Sequence, residues 1–377
     1  MQNTLGELGS FIKGAPLSKA DITDDGTPFI LYGELYTTYE EVVNEIVRKT
    51  TRNAAQEHIS RVGDVIVPTS GETPEEIATA SCIMVPGVIL AGDLNIYRTQ
   101  IVDGRLVSYA IRHVINRQIA SVAQGKSVVH IKAEELAKIS INYPSLEEQS
   151  KILQFLSLLQ SRIDQQRKLI DALKSYKRGA FLNLYSVSNR HKVCFKEIYL
   201  KASEGGTPPT KNGEYYLDGN IPFAKIEDLS KHYLQETKSF ITEQGLRNSS
   251  AWLIPPESII FSNGATIGAC SINRIAITTK QGILGIVPTK DFSSHFLYHF
   301  FTSPLFMKKV RAITTKGTMD CAYLKDIDHI ILNLPNYDTQ IKIATILDNC
   351  EELIEHHNQV LEMLLCIKQG LLQHLFI

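Results

Sequence analysis

Ile141-Asn142-Tyr143-Pro144-Ser145-Leu146-Glu147-Glu148-Gln149-Ser150-Lys151-Ile152 and Leu332-Asn333-Leu334-Pro335-Asn336-Tyr337-Asp338-Thr339-Gln340-Ile341-Lys342-Ile343 lie 191 residues apart. They share Asn, Pro, Gln, Lys and Ile, and their apolar positions agree. The same offset carries Lys177-Arg178-Gly179 onto Lys368-Gln369-Gly370. A long period of this kind is the mark of a duplicated architecture and governs every later reading of the fold.

Outward from these stretches the match weakens but persists. Pro28-Phe29 followed by Leu35 aligns with Pro222-Phe223 followed by Leu229. Val65-Ile66-Val67 followed by Gly71 aligns with Ser258-Ile259-Ile260 followed by Gly264, and Gly125 aligns with Gly317. The chain of 377 residues therefore divides into a divergent domain at 1–143, a shared helix at 144–185, a second divergent domain at 186–334 and a second shared helix at 335–377.

The shared segments read as long helices. Ser145 and Glu148 form a capping box after Pro144, and Asn336 is the matching cap after Pro335. Three apolar lines then recur with a period of seven. The first is Ile152, Leu159, Leu173 and Ala180, matched by Ile343, Cys350, Leu364 and Leu371. The second is Phe155 and Leu169, matched by Ile346, Leu353, Val360 and Ile367. The third is Leu156, Ile163 and Ile170, matched by Leu347, Ile354 and Leu361. Gln166 and His357 interrupt the first line at equivalent places, where a polar residue can fix register. Each helix of roughly 37 residues spans about 55 Å. Antiparallel pairing of the two implies a pseudo-twofold axis.

The divergent domains mix β-branched runs with turn signals and are predicted to be α+β, each with a curved sheet or partial barrel. Strands are expected at Gly63–Pro68, Val85–Leu90, Ser258–Ser262, Ile275–Thr279 and Gly282–Val287. Helices are expected at Leu106–Ala123 and Ser294–Ile313, each followed by a glycine-centred turn.

Net charge is -1, but it is unevenly spread. The first domain is net -4, the first helix +3, the second domain +4 and the second helix -4. Candidate DNA contacts in the first domain are Arg98, Arg105, Arg112, Arg117 and Lys126, with the turn Ser70-Gly71. In the second they are Lys201, Lys211, Lys225, Lys280, Lys308, Lys309, Arg311 and Lys316, with Asn263-Gly264. Lysine and arginine suit phosphates; arginine and asparagine also suit base edges.

Catalytic chemistry is missing from the pattern. Ala120 stands where a P-loop needs its first glycine, ahead of Gly125-Lys126-Ser127. There is no GxGxxG after a strand and no GxSxG. Glu135 and Lys138 lack nuclease spacing. The six cysteines form no CxxC pair, and His356-His357 belongs to the heptad run, so neither metal nor catalytic residues are expected. No apolar run reaches membrane length and no leader is read at Met1-Gln2-Asn3-Thr4, so a cytoplasmic protein is expected.

The order of motifs resembles the specificity subunits of type I restriction–modification systems. The carrying residues are Gly206-Thr207-Pro208, Tyr215-Tyr216, Gly219-Asn220-Ile221-Pro222-Phe223, Asp228-Leu229, Ser262-Asn263-Gly264 with Ile267-Gly268, and Leu334-Pro335 with Gln340 and Ile343. The first half carries Gly26-Thr27-Pro28-Phe29 and the helix start at Pro144, Glu147, Glu148 and Gln149. It departs at Gly33-Glu34-Leu35 and Gly71-Glu72-Thr73-Pro74. The resemblance implies two target-recognition domains reading an asymmetric bipartite site in double-stranded DNA. It implies two modification subunits that bind S-adenosylmethionine and methylate adenine, and restriction subunits that use ATP and Mg. This chain would then hold no cofactor and catalyse nothing. A stand-alone DNA-binding regulator, an enzyme with unrecognised carboxylates and a coiled-coil scaffold remain open from sequence alone.

Overall fold

The structure is a computed structural model that describes every residue except 126–127, 265, 316–319 and 376–377, and of Leu375 only the backbone. The chain forms two compact units: residues 1–166 with 360–377, and residues 167–359.

In the first unit a five-stranded sheet runs in the order Gly9–Lys13, Leu94–Thr99, Asp64–Pro68, Ser81–Ile83, Val42–Val43. Its last pairing is parallel and the others are antiparallel. A three-stranded sheet sets Thr27–Leu31 between Arg48–Thr50 and Ile89–Ala91. Gln2–Thr4 pairs with Ser140–Asn142 just ahead of the first long helix.

The second unit repeats these three sheets strand for strand. Its five-stranded order is Tyr199–Glu204, Ile283–Pro288, Ile259–Ser262, Cys270–Asn273, Tyr233–Leu234, again with only the last pairing parallel. Ile221–Ala224 lies between Phe240–Ile241 and Thr278–Thr279, and Arg190–Cys194 pairs with Ile331–Pro335. The sequence repeat is thus a repeat of topology. Neither sheet closes into a barrel among the described residues.

Both predicted late helices are broken in two. Residues 104–113 and 116–122 form separate helices, as do 294–301 and 304–313. In the second unit the break has a plain cause. Ser303 caps a new helix whose first residue is Pro304, which has no N–H to continue the old one. The strand expected at Val85–Leu90 is only Ile89–Ala91, and that at Ile275–Thr279 only Thr278–Thr279.

The long helices are continuous over Leu146–Val187 and Tyr337–Leu375. Ser145 donates to Glu148 and accepts from its backbone N–H, and Asn336 Oδ1 accepts from the Thr339 N–H. Within the first unit, Gln160 meets Lys368 while Leu153 and Leu156 share a core with Leu372. Within the second, Lys177 pairs with Glu351 while Phe181 and Tyr185 pack with Ile343, Ala344 and Leu347. Ascending one helix descends the other in both units, so the pairing is antiparallel.

Of the three apolar lines, the third is the most deeply buried: Leu156, Ile163, Ile170, Leu347 and Ile354. The first lies beside it, with Ile343 and Cys350 buried and Gln166 buried on the same line; His357 is half-buried. The second line turns outward. Phe155, Leu169, Ile346, Leu353 and Ile367 are all exposed. First and third lines alternate at spacings of four and three, which already makes a complete knobs-into-holes seam, so the second is not needed to close it.

The shared glutamine has a defined task in each unit. Gln149 accepts from the Asp103 N–H at 2.9 Å and donates to the Pro144 carbonyl at 3.1 Å. Gln340 accepts from the Ser293 N–H at 3.0 Å and donates to the Pro335 carbonyl at 2.9 Å. Both side chains are buried, and Asp103 and Ser293 are the N-caps of the equivalent late helices. Replacing Gln340 with Leu leaves a buried N–H and a carbonyl unpaired. A loss of about 1–3 kcal/mol in urea unfolding is expected, and Gln149→Leu should lower stability similarly.

Candidate nucleic-acid interface

Loops gather at one end of the second unit's sheet. Gly205 N–H donates to the Ile283 carbonyl and Gly206 N–H to that of Thr279, at 2.9 and 3.0 Å. A Cβ on Gly205 would sit 2.2 Å from the Thr279 carbonyl oxygen, so only glycine fits this approach. Glu204 accepts from the Gly282 N–H at 2.6 Å. Lys280 N–H donates to the Ala224 carbonyl, which brings its exposed side chain beside Lys225 at the end of the neighbouring strand.

Asn263 and Gly264 close the same end. Both N–H groups donate to the Gly282 carbonyl, at 3.1 and 3.2 Å. The Asn263 amide donates to the Ala322 carbonyl, and the Ala322 N–H donates back to the Asn263 carbonyl. Asn263 is fully buried, and its Oδ1 has no partner among the described residues. Asn263 is therefore part of the loop framework, and the exposed groups around it are free to meet a ligand. Thr315 and Cys321 bridge next to it and flank the segment that carries Lys316, which lies outside the described residues.

The other cations of this unit are exposed. Lys211 sits in the loop after Gly206, and the Lys201 ammonium lies 4.0 Å over the Trp252 ring. Lys308, Lys309 and Arg311 share the helix 304–313. Lys308 and Arg311 line a groove with Thr302, Pro304 and Met307, while Lys309 donates to the Ile331 carbonyl.

The first unit brings Ser70-Gly71 against Val129-His130, a two-residue ladder next to the turn that carries Lys126. Ser70 is buried, donates to Asp93 and accepts at its carbonyl from the Tyr36 hydroxyl. Lys126 lies outside the described residues. In both units, then, the strand-end turn packs against described residues more than 50 positions further along the chain.

Three arginines of this unit are engaged internally. Arg98 clasps the buried Asp64 through two nitrogens and also donates to the Ile59 carbonyl. Arg105 clasps Asp103 at 2.8 Å. Arg112 donates to the carbonyls of Ala80, Leu35 and Tyr39; burial pulls its guanidinium below the ordinary value, and Glu41 and Glu40 partly offset this. Arg98 and Arg112 thereby hold the domain together, whereas Arg105, a third exposed, is bound only to its near neighbour Asp103. Arg117 alone of the described first-domain candidates is exposed, and its side chain makes no hydrogen bond or ion pair to another described residue.

Two charged clusters escaped sequence reading because their members are far apart in the chain. In the first unit Glu41, His113 and Lys368 converge, with Glu41 2.7 Å from His113 and 2.9 Å from Lys368. Burial would raise the Glu41 carboxyl, but the His113 hydrogen bond and Lys368 outweigh it and hold it at about 2. In the second unit His232, His295 and His299 surround Asp348. Burial pushes His232 down to about 3 and lowers His299, whereas the Asp348 hydrogen bond raises His295. The two imidazole hydrogen bonds overcome burial and hold Asp348 well below the carboxylate range.

A family model described as the type I restriction modification DNA specificity domain matches residues 1–175 and again 190–365. The chain belongs to this family. The MjaIX specificity subunit of Methanocaldococcus jannaschii is 30% identical over 179 residues, 46% of this chain and 40% of its own length. The EcoR124I/EcoR124II specificity subunit of Escherichia coli is 25% identical over 40% of this chain and 38% of its own. Each alignment thus covers less than half of either protein. In fold, the S subunit from M. genitalium matches all of this chain and 96% of its own at a TM-score of 0.64 and 16% identity. A chain from a structure of type I R-M complex assembly matches at 0.58 and 18%, covering all of this chain and 97% of its own. The fold of this chain, with its doubled α+β plan and paired long helices, is thus similar over its whole length to those two chains.

The two kinds of cation should separate on mutation. Arg98→Ala leaves Asp64 buried and uncompensated, at an expected cost of about 3–5 kcal/mol in chemical denaturation. Lys280→Ala should stay within about 0.5 kcal/mol of the parent.

Proposed function

We propose that this chain is the DNA-reading specificity subunit of a type I restriction–modification complex. It recognises an asymmetric, bipartite target in duplex DNA and directs adenine methylation and restriction by partner subunits. The observation that carries this reading is the duplication of one sheet topology with different chemistry in its loops. Ser70-Gly71-Glu72-Thr73 stands in one unit where Ser262-Asn263-Gly264 stands in the other. Two copies of one frame with unlike loops suit two unlike half-sites.

Within each domain, exposed cations would hold phosphates and fix the register, while loop side chains read base edges. Lys201, Lys211, Lys280, Lys308 and Arg311, with the half-buried Lys225, would serve the first purpose in the second domain. Arg117 serves it in the first, joined by Lys126, and Lys316 joins the second. The domain boundaries for exchange are 1–143 and 186–334, with the helices at 144–185 and 335–377 as the spacer. Gln166 and His357 would set the helix register.

The outward apolar line supports docking of helical partners. On the first helix it presents Phe155 and Leu169, on the second Ile346, Leu353 and Ile367. Modification subunits seated there would bring S-adenosylmethionine, and restriction subunits ATP and Mg. The adenine amino group to be methylated is enclosed in the duplex, so the modifying partner must flip the base out. This chain's task is to choose which adenine. It supplies position and sequence readout and leaves the chemistry to its partners.

Replacing residues 1–143 by the corresponding domain of another family member is expected to change one half of the methylated target only, as read by methylome sequencing. Change in both halves refutes modular reading, and methylation without any partner subunit refutes the division of labour. Inserting one heptad into each long helix adds about 10.5 Å, or roughly three base pairs at 3.4 Å each. The unread gap should lengthen with both half-sites intact; an unchanged gap excludes the helices as its ruler.

A further inference from the structure

The histidine cluster of the second unit is not used by DNA reading, and the repeat does not demand it. His232 lies just before the strand Tyr233–Leu234, and His295 and His299 occupy one face of the helix 294–301. Asp348 projects from the second long helix. His295 Nδ1 is 2.6 Å from Asp348 Oδ2, and His299 Nε2 is 2.8 Å from Oδ1. His232 Nε2 lies 3.6 Å from Oδ1. That distance is too long for a hydrogen bond. His232 is only 8% exposed, and its Nε2 has no hydrogen-bond partner among the described residues.

We propose that His232, His295 and Asp348 form a binding site for a divalent transition ion of the zinc type. One donor atom from each lies within 4.8 Å of the others. Two donors bound tetrahedrally at 2.0–2.1 Å from zinc are roughly 3.3 Å apart. The orphaned Nε2 and Oδ1 are close to that separation already, and His295 Nδ1, 2.6 Å from Oδ2 and 3.3 Å from the Tyr233 hydroxyl, must draw back from both for an ion to enter. Two imidazoles and a carboxylate favour zinc, cobalt or nickel over magnesium or calcium, which prefer all-oxygen sets.

The surroundings are those of a supported site. The His232 ring is fixed between Tyr233 and Tyr298, with centroids 4.0 and 4.2 Å away. His299 remains hydrogen-bonded to the carboxylate and orients it. Behind His295, Nε2 faces the Glu257 carboxylate at 3.6 Å, beyond hydrogen-bond distance but near enough to favour a proton on that nitrogen. Glu257 itself takes a positive φ of 63°, unusual for a side chain of its size, and pairs with Arg274. Asp348 and His295 are partly exposed, so an ion can enter from solvent. Bound there, it would tie strand, helix and long helix together within this unit.

The full chain, stripped with chelator and titrated with Co2+, should bind one ion and develop the visible absorption of a low-coordinate nitrogen–oxygen site. Zn2+ should displace the Co2+ and raise the melting temperature. His299→Gln is expected to weaken binding about 10–100-fold, and His232→Gln more. His356→Gln, on the exposed face of the second helix, should leave it unchanged. An absent band, or an equal one in His232→Gln, overturns the site. Should His232→Gln fail to fold, X-ray absorption of the zinc-loaded parent decides: two imidazoles support the site, and one or none overturns it.

Discussion

One buried amide at the start of each long helix orders the rest of its unit. A helix begins with unpaired N–H groups, and a chain leaving a strand through proline has a bare carbonyl. Gln149 and Gln340 each resolve both problems at once, for two different elements. The amide oxygen takes an N–H from the cap of the late helix, and its nitrogen satisfies the carbonyl before the long helix. The entry angle of the long helix is therefore tied to the helix that packs on the sheet. No apolar residue could make that tie, because it depends on a donor and an acceptor held in one plane.

Beyond this shared joint the two units use unlike chemistry at one backbone position. The Cys82 N–H donates to the Glu41 carbonyl, and the Ile272 N–H donates to the His232 carbonyl, each beside the parallel pairing of the sheet. Glu41 and His232 are thus counterparts. Glu41 reaches Lys368 near the end of the second helix, and His232 faces Asp348 near its beginning. Glu41 fixes its domain to the helix packed against it, and in the second unit His295 and His299 beside His232 do so by bonding Asp348. The acid–base roles are exchanged: the domain supplies the carboxylate in the first unit and the helix supplies it in the second. Duplication followed by divergence leaves such a trace when the mechanical requirement is retained and the side chains are not.

The doubling, the long helices and their caps were readable because they rest on local chemistry. Ser145 with Glu148, Asn336 and the heptads act within a few residues of themselves. The break at Pro304 was equally local and was missed beneath the strong apolar periodicity of Ser294–Ile313. The seam was only half readable. Three lines at heptad spacing offer two equivalent pairings, and periodicity cannot choose between them. The candidate DNA contacts were chosen by charge, and charge does not reveal a partner. Arg98 and Arg112 look like Lys280 in the sequence, yet Asp64 and a ring of carbonyls claim them. The histidine cluster was invisible for the same reason: 116 residues separate His232 from Asp348.

The uncovered apolar line gives the asymmetry of the long helices a physical meaning. A two-helix seam is complete with the first and third lines, so nothing in the folding of this chain calls for Phe155, Leu169, Ile346, Leu353 and Ile367 to be apolar. Polar residues there would keep the seam and shed an aggregation hazard. Isolated exposed leucines need no explanation, but on the second helix Ile346, Leu353 and Ile367 hold heptad places on one line with the half-buried Val360, whereas on the first helix Arg162 separates Phe155 from Leu169. In the proposed function the loops at the strand ends would read and the apolar line along the helices would recruit, so a loop can change without altering the surface on which a partner helix would pack.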